Sequence, residues 1–409
     1  MSEPDIFIDY PFGRMAKLLA SLDPPPGKDP LVLSIGEPRL PTPPMVQEII
    51  AGWNGGWSKY PPPAGSDAYR GAVAAWLAKR YGLPEGMIDP AKNVAGTCGS
   101  REGLFQLTLL AATMKRQTLP AGVKPLIAMP NPLYHVYYGG AVLADAEPVF
   151  MNTTAETRHM PDVRDLTPDV LDRLAMVILC TPGNPSGKIA KIDVLLDLAL
   201  LARKHNFILA VDECYSELYG KRAPVGALEA CKAIDGKMDN VVTVNSLSKR
   251  SNAPSLRCAF VAGDSEIIRR FTMLRNYGGV QMPPALDAAG TALWKDESHV
   301  AANRAHYQAL FDIADETFDG WPGYERPEAA FFLWLPVRDD EEAAKAAWTR
   351  EAIKVMPGRY FSRTDPRTGM VPGEGYIRIA LVDDVKTVRE AMTRLRAALD
   401  AAGQAPEPL

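Results

Sequence analysis

A chain of 409 residues is too long for one ordinary domain and fits two with separate cores. Apolar residues make up 47% and the charges are mixed to a net of −4, as in a soluble globular protein; with no run rich in Lys or Arg, neither nucleic acid nor an anionic membrane is an expected partner. The five cysteines, Cys98, Cys180, Cys214, Cys231 and Cys258, form no CxxC pair and suit a reducing cytoplasm. The acidic N-terminus lacks a basic stretch followed by an apolar core, so no secretory leader is expected, and no run is long and apolar enough to span a bilayer.

The first forty or so residues are rich in proline, as in Pro24-Pro25-Pro26 and Pro41-Thr42-Pro43-Pro44, and read as an extended arm. Ser66 is placed to cap a helix with Tyr69, Val73, Trp76 and Leu77 on one face and Gly82 as its stop. Short apolar runs follow at 93–97, 126–129, 176–180, 208–212, 241–245 and 259–262, with helical patterns between most of them, as at 103–114 and 192–204. That alternation predicts an α/β fold on a mostly parallel sheet, whose ligands bind at the carboxyl ends of the strands. After about residue 290 the texture changes: 330–335 and 376–381 read as strands among helices, and Val385, Val388, Met392, Leu395 and Leu399 mark a last helix. The chain thus divides into an arm over 1–44 that completes part of a small domain, a large domain over 45–290 and a smaller α+β domain over 291–409. The end, from Gln404 onward, is expected to be loose.

Several segments carry chemistry. Asn245-Ser246-Leu247-Ser248-Lys249-Arg250, with Arg257 after it, sets a lysine at a strand end among hydroxyls and an arginine. This suits either a Schiff-base lysine beside an anion site or a solvated loop. Asp212 ends an apolar run, where a carboxylate needs a cation or a helix to cap; a protonated pyridine nitrogen is one such cation, and Tyr215 lies three residues on. Asn184, between Pro182 and Pro185, reads as a ring-oxygen ligand or a plain turn. Gly99-Ser100-Arg101 opens a helix, an arrangement that offers backbone N–H groups to phosphate and is common in βα turns. Arg378, inside an apolar strand, suits a substrate carboxylate or a half-exposed strand face. The segment around Gly36 reads as backbone closing over the same substrate or as a simple turn. There is no Walker A sequence, no GxGxxG, no HExxH and no close histidine pair, so nucleotide and zinc readings fall away and no metal is expected.

These segments, in this order from about Ile35 to Leu381, resemble the class I/II aminotransferases of the pyridoxal-phosphate (PLP) fold type I. The resemblance implies a large domain with a mostly parallel seven-stranded sheet, a smaller α+β domain, PLP as cofactor and a homodimer with shared active sites. It implies that Lys249 is the Schiff-base lysine and catalytic base, that Asp212 partners the pyridine nitrogen, and that Tyr215 and Asn184 hold the ring oxygen. Gly99, Ser100, Arg101, Ser246, Ser248 and Arg257 then serve the phosphate, and Tyr134 stacks on the ring. Tyr60, before Pro61, reaches the neighbouring subunit's phosphate. Arg378 takes the α-carboxylate, with Gly36 and Asn184 beside it. Within the family, residues 248–254, 99–102, 34–38, 277–284 and 356–358 are similar to bacterial succinyldiaminopimelate transaminases. The departures are Ser255, Ala259 and Gly278-Gly279-Val280. That subgroup implies N-succinyl-L,L-2,6-diaminopimelate as donor and 2-oxoglutarate as acceptor. Arg39 is the candidate cation for their further carboxylates, and a solvated loop position is its alternative.

Overall fold

A computed structural model describes residues 10–162 and 166–407. The strands, in chain order, are β1 (Leu31–Val32), β2 (Val94–Thr97), β3 (Leu126–Asn131), β4 (Glu147–Asn152), β5 (Leu174–Cys180), β6 (Ile208–Asp212), β7 (Val241–Ser246), β8 (Ala259–Gly263), β9 (Phe332–Pro336), β10 (Ile353–Lys354), β11 (Met356–Pro357) and β12 (Tyr376–Ala380). Seven of them form one sheet in the order β2-β8-β7-β6-β5-β3-β4, with β8 antiparallel to both its neighbours and every other pair parallel. All six apolar runs read from the sequence are strands of this sheet. The central strands are apolar end to end because helices cover both faces: every residue of β5, β6 and β7 is buried.

β4 is the sheet's one unforeseen strand. Its Glu147-Pro148 start carries little strand signal, and Pro148 is tolerated because β4 lies at the sheet edge. The Ser66 helix runs over Asp67–Tyr81, with Tyr69 N–H donating to the Ser66 hydroxyl and Gly82 left-handed at φ 57°. The helix Pro284–Lys295 packs on it closely enough that a Cβ on Gly290 would lie 2.9 Å from Tyr69 and from Cys258. The residue-290 boundary therefore falls inside a helix that belongs with the large sheet.

The remaining strands form a three-stranded antiparallel sheet, β11-β12-β9, and a parallel pair, β1-β10. The helices Ser298–Phe318, Asp340–Glu351 and Val385–Ala401 pack around them over a second core built on Leu310, Phe331, Leu335, Ile379 and Leu395. Val385, expected on the last helix's buried face, is instead largely exposed at the first turn.

Two expectations at the ends need correction. The arm is not extended throughout: Pro11–Leu19 is a helix with proline in the first turn, where its missing N–H costs nothing and its fixed φ suits the helix. Gln404 is not loose. It is buried, its carbonyl accepts from Arg338 N–H and its side-chain oxygen accepts from Asp339 N–H. Residues 408 and 409 lie outside the described residues. No helix among those described is long and apolar enough to cross a membrane.

Candidate active site

The carboxyl ends of β2, β3, β5, β6 and β7 open onto a cleft of about 560 Å³, closed on the far side by β12 and the loop after β1. Lys249 projects into it from a single helical turn, Leu247–Arg250, that Ser246 caps by accepting from Ser248 N–H. Its Nζ donates to the Gly36 carbonyl at 2.5 Å and lies 5.2 Å from the centre of the Phe331 ring. Burial pushes its pKa down to about 8, bringing the neutral amine within reach near neutral pH. Gly36 must be glycine, since a Cβ there would sit 2.5 Å from the Phe332 ring.

Asp212, the last residue of β6, is buried at the cleft floor. Tyr137 O–H donates to its Oδ2 at 2.7 Å and Cys214 N–H to its Oδ1 at 3.2 Å. Desolvation raises its pKa despite those donors, and among the described residues no cation pairs with it. Tyr215 lines the same floor with its ring edge-on to Phe331 and Phe332.

At one end of the cleft, donors gather without an acid to use them. The 17-residue helix Ser100–Arg116 begins there, and the N–H groups of Ser100 and Arg101 have no hydrogen-bond partner among the described residues. The Ser246 hydroxyl donates to that of Ser248 at 2.9 Å. Arg257, left-handed at φ 55°, donates, among the described residues, only to the Pro254 and Cys98 carbonyls. Gly99, at φ 92°, lets it in: a Cβ on Gly99 would lie 1.8 Å from Arg257 Nη2.

Arg378 comes from the middle of β12 and is buried. It donates to Asn184 Oδ1 at 3.0 Å and to the Ser34 carbonyl at 2.9 Å, between the rings of Phe332 and Phe361 at 4.4 and 4.1 Å. Among the described residues its Nε has no partner and no carboxylate pairs with it; burial depresses its pKa to about 10. A buried cation that faces a cleft with no anion paired to it is a site for a carboxylate ligand.

Residues 28–395 match the sequence profile of the family described as Aminotransferase class I and II. The chain belongs to the class I and II aminotransferases. It is 30% identical to the LL-diaminopimelate aminotransferase of Moorella thermoacetica, over 95% of this chain and 96% of that one. Among solved structures it is similar to an aminotransferase of Neisseria meningitidis (TM-score 0.88, 36% identity, 95% of this chain and 97% of that one). It is also similar to the aminotransferase AspB of Helicobacter pylori (TM-score 0.85, 31% identity, 98% and 99%). The family is PLP-dependent, and PLP is the cofactor of this aminotransferase. The residues present fit that group: an uncompensated buried carboxylate suits a pyridinium, and the acid-free group of hydroxyls, helix N–H groups and Arg257 suits a phosphate.

Three of the expected site residues do not line the aminotransferase cleft: Gly99, which lies behind Arg257, and Arg39 and Tyr60. Arg39 is a correction: both oxygens of Asp383 accept from its Nη1, at 2.7 and 2.6 Å, and its Nη2 donates to the Val32 carbonyl. Arg39 N–H donates to the Val382 carbonyl, so the residue is held against the neighbouring loop. Tyr60 is fully exposed and away from the cleft of its own protomer. Conversely, Tyr137, His135, Glu37, Tyr10 and Phe12 line the cleft unforeseen. Tyr137 lies three residues past Tyr134 and so, by helical spacing, could have been brought in; the arm residues carried no such signal.

Proposed function

We propose that this aminotransferase moves the amino group of N-succinyl-L,L-2,6-diaminopimelate to 2-oxoglutarate, giving glutamate, as a cytoplasmic homodimer. The observation that carries amino transfer is the pairing, in one cleft, of a buried amine of lowered pKa with a buried arginine that lacks an anion. Arg378 would take the donor's α-carboxylate in a two-pronged grip, with Asn184 and the Ser34 carbonyl fixing the guanidinium plane. Asp212 would hold the ring proton, Tyr215 and Asn184 the ring oxygen, and Tyr134 one ring face. Ser100, Ser246, Ser248 and Arg257 would hold the phosphate, with the N–H groups opening the Ser100 helix. Bound there, PLP supplies an aldehyde carbon that takes up the amino group and a protonated ring that draws electrons from Cα. Lys249 Nζ takes the proton from the donor Cα and serves in turn as the acid. Tyr60, fully exposed in the protomer, would complete the neighbouring subunit's phosphate site. In this reading the chain divides into an arm through 44, a large domain that runs past 290 to the end of the Pro284–Lys295 helix, and a small domain beyond.

The succinylated donor rests on the subgroup motifs. A second reading, free LL-diaminopimelate, is favoured by the names of relatives such as those of Moorella thermoacetica and Syntrophobacter fumaroxidans, each 30% identical. The test is kcat/KM of pure enzyme for both diaminopimelate compounds, N-acetylornithine, aspartate and phenylalanine, each with 2-oxoglutarate. The succinyl compound should lead. Should free diaminopimelate lead, the second reading replaces the first; should one of the other three lead, both donor readings fall.

A further inference from the structure

Lys249 stands on a turn of four residues, Leu247–Arg250, too short to be stable by itself. Ser246 caps its entry. Its exit is held from outside, by the first turns of the helix Ser298–Phe318. His299, Asn303 and Tyr307 recur every four residues and so share one face of that helix. His299 Nε2 lies 2.8 Å from the Ser251 hydroxyl. Asn303 Nδ2 donates to the Arg250 carbonyl at 3.0 Å, and its Oδ1 accepts from Asn252 Nδ2 at 2.7 Å. The Tyr307 ring lies 5.4 Å from that of Phe331, the ring beside the Lys249 amine. One helix face thus braces both the backbone that follows Lys249 and the ring next to its Nζ.

His299 is itself oriented. Its Nδ1 lies 2.5 Å from Asp296 Oδ2. Burial opposes the Asp296 charge, yet donors from His299 and Ser298 hold that carboxyl down to about 2, so it accepts and Nδ1 carries the hydrogen. Burial keeps the imidazole below its ordinary pKa, with Asp296 drawing the other way and Arg250 adding to the fall. The neutral ring presents a lone pair at Nε2, and the Ser251 hydroxyl donates to it. Ser251 is fully buried, so that hydroxyl depends on a protein partner. The order Asp-His-Ser is that of an acyl-transfer triad, but a serine with no exposed surface meets no substrate. The three side chains serve position instead.

We infer that His299 is a positioning residue for the reaction: through Ser251 it fixes the turn that carries Lys249, and so the direction of the reacting amine. Ser251 stands two residues after Lys249, so a shift of the one is passed to the other. Misplacing a reacting group by about 1 Å lowers the rate by roughly a hundredfold. This role rests on the amino-transfer reading only in that Lys249 is the reacting amine.

The test compares PLP-loaded wild type with Ser251→Ala, His299→Asn, His299→Gln and Tyr324→Phe. Asparagine sets its amide where Nδ1 was, keeping Asp296 and losing Ser251, whereas glutamine reaches Ser251. Tyr324→Phe removes a hydroxyl that donates to Asp315 on the same helix at 2.7 Å, and is the control for lost stability. Turnover and melting temperature are measured, together with the pH at which the cofactor absorption of substrate-free holoenzyme changes, which reports how the Lys249 nitrogen is held. Ser251→Ala and His299→Asn should each lower kcat about tenfold to a hundredfold, with KM within about twofold and the absorption midpoint moved. The two together should lose no more than either alone, because both break one link. His299→Gln should recover most of the rate. Tyr324→Phe should melt lower and react as wild type. His299 loses this role if Ser251→Ala or His299→Asn keeps the wild-type kcat or absorption midpoint, if His299→Gln is as slow as His299→Asn, or if Tyr324→Phe slows turnover as they do. A wild type in which borohydride fixes no PLP to Lys249 overturns the amino-transfer reading together with it.

Discussion

Replacing Arg378 with methionine separates what this residue does for the fold from what it does for substrate. Burial holds the guanidinium near pKa 10 against an ordinary 12.5. At about 1.4 kcal/mol per tenfold change, keeping it charged with no anion beside it costs about 3 kcal/mol. Its two hydrogen bonds, to Asn184 and Ser34, return roughly 1.5–3 kcal/mol each. Together the bonds return roughly 3–6 kcal/mol, so the net stake is about 0–3 kcal/mol, and methionine keeps apolar contact with Phe332 and Phe361. The cofactor-free variant should therefore melt within about 4 °C of wild type. Substrate use is different, because a carboxylate would be left without its partner, at roughly 2–5 kcal/mol. That corresponds to about 30-fold to a few thousandfold in kcat/KM. The assay is steady-state transamination at fixed 2-oxoglutarate, with cofactor content measured in parallel. A control donor stripped of its α-carboxylate should react equally with both proteins. A loss below about 1 kcal/mol, the level of an exposed pair, would refute the assignment. A collapse in melting temperature would make Arg378 a residue of the fold.

Three further perturbations test the rest of the cleft. Borohydride should fix the cofactor covalently to a peptide containing Lys249, and Lys249→Ala should abolish amino transfer; peptide mass spectrometry and turnover check this, and a labelled peptide from elsewhere would displace Lys249. Mixing Lys249→Ala with Tyr60→Ala chains should restore part of the lost activity, because half the sites of a mixed dimer carry neither lesion; no recovery in isolated heterodimers would place Tyr60 outside any active site. Asp212 has a folded-state pKa raised above 3.8, so it binds its proton more tightly when folded and destabilises the cofactor-free protein increasingly as pH rises through that interval. Asp212→Asn should therefore raise the cofactor-free melting temperature at pH 7, with the gain shrinking below about pH 4, while weakening PLP retention; an unchanged melting temperature would mean the carboxylate is solvated.

What the sequence disclosed follows from which forces are local. The buried parallel strands announce themselves as unbroken apolar runs, so β5 and β6 with their terminal polar residues could be read directly, and Asp212 and Asn184 with them. β4 could not, because an edge strand needs no such run and starts with Glu147-Pro148. Arg39 was misjudged because nearness in sequence to Gly36 does not set the direction of a side chain. That direction depends on Asp383, which lies 344 residues away. Tyr137 was overlooked for the opposite reason: an aromatic on a helix reads as core, and it is fully buried, with only its hydroxyl doing chemistry at Asp212.

The short pairing of β1 with β10 has a consequence for how the chain is made. Leu31 and Val32 meet Ile353 and Lys354, and the Ser34 carbonyl awaits Arg378, so partners synthesised early are joined to partners synthesised much later. As a growing chain leaves the ribosome, domains fold from the N-terminus onward. The seven-stranded sheet, complete by residue 263, can therefore assemble while the first segment is still untethered. Lys249 would stand on that sheet before the Gly36 carbonyl that meets its amine has been fastened in place. Only once β12 has been made does the cleft gain its far wall. The finished grip on substrate is thus a late event in biosynthesis, and chains cut short before Tyr376 would keep the sheet yet lack Arg378.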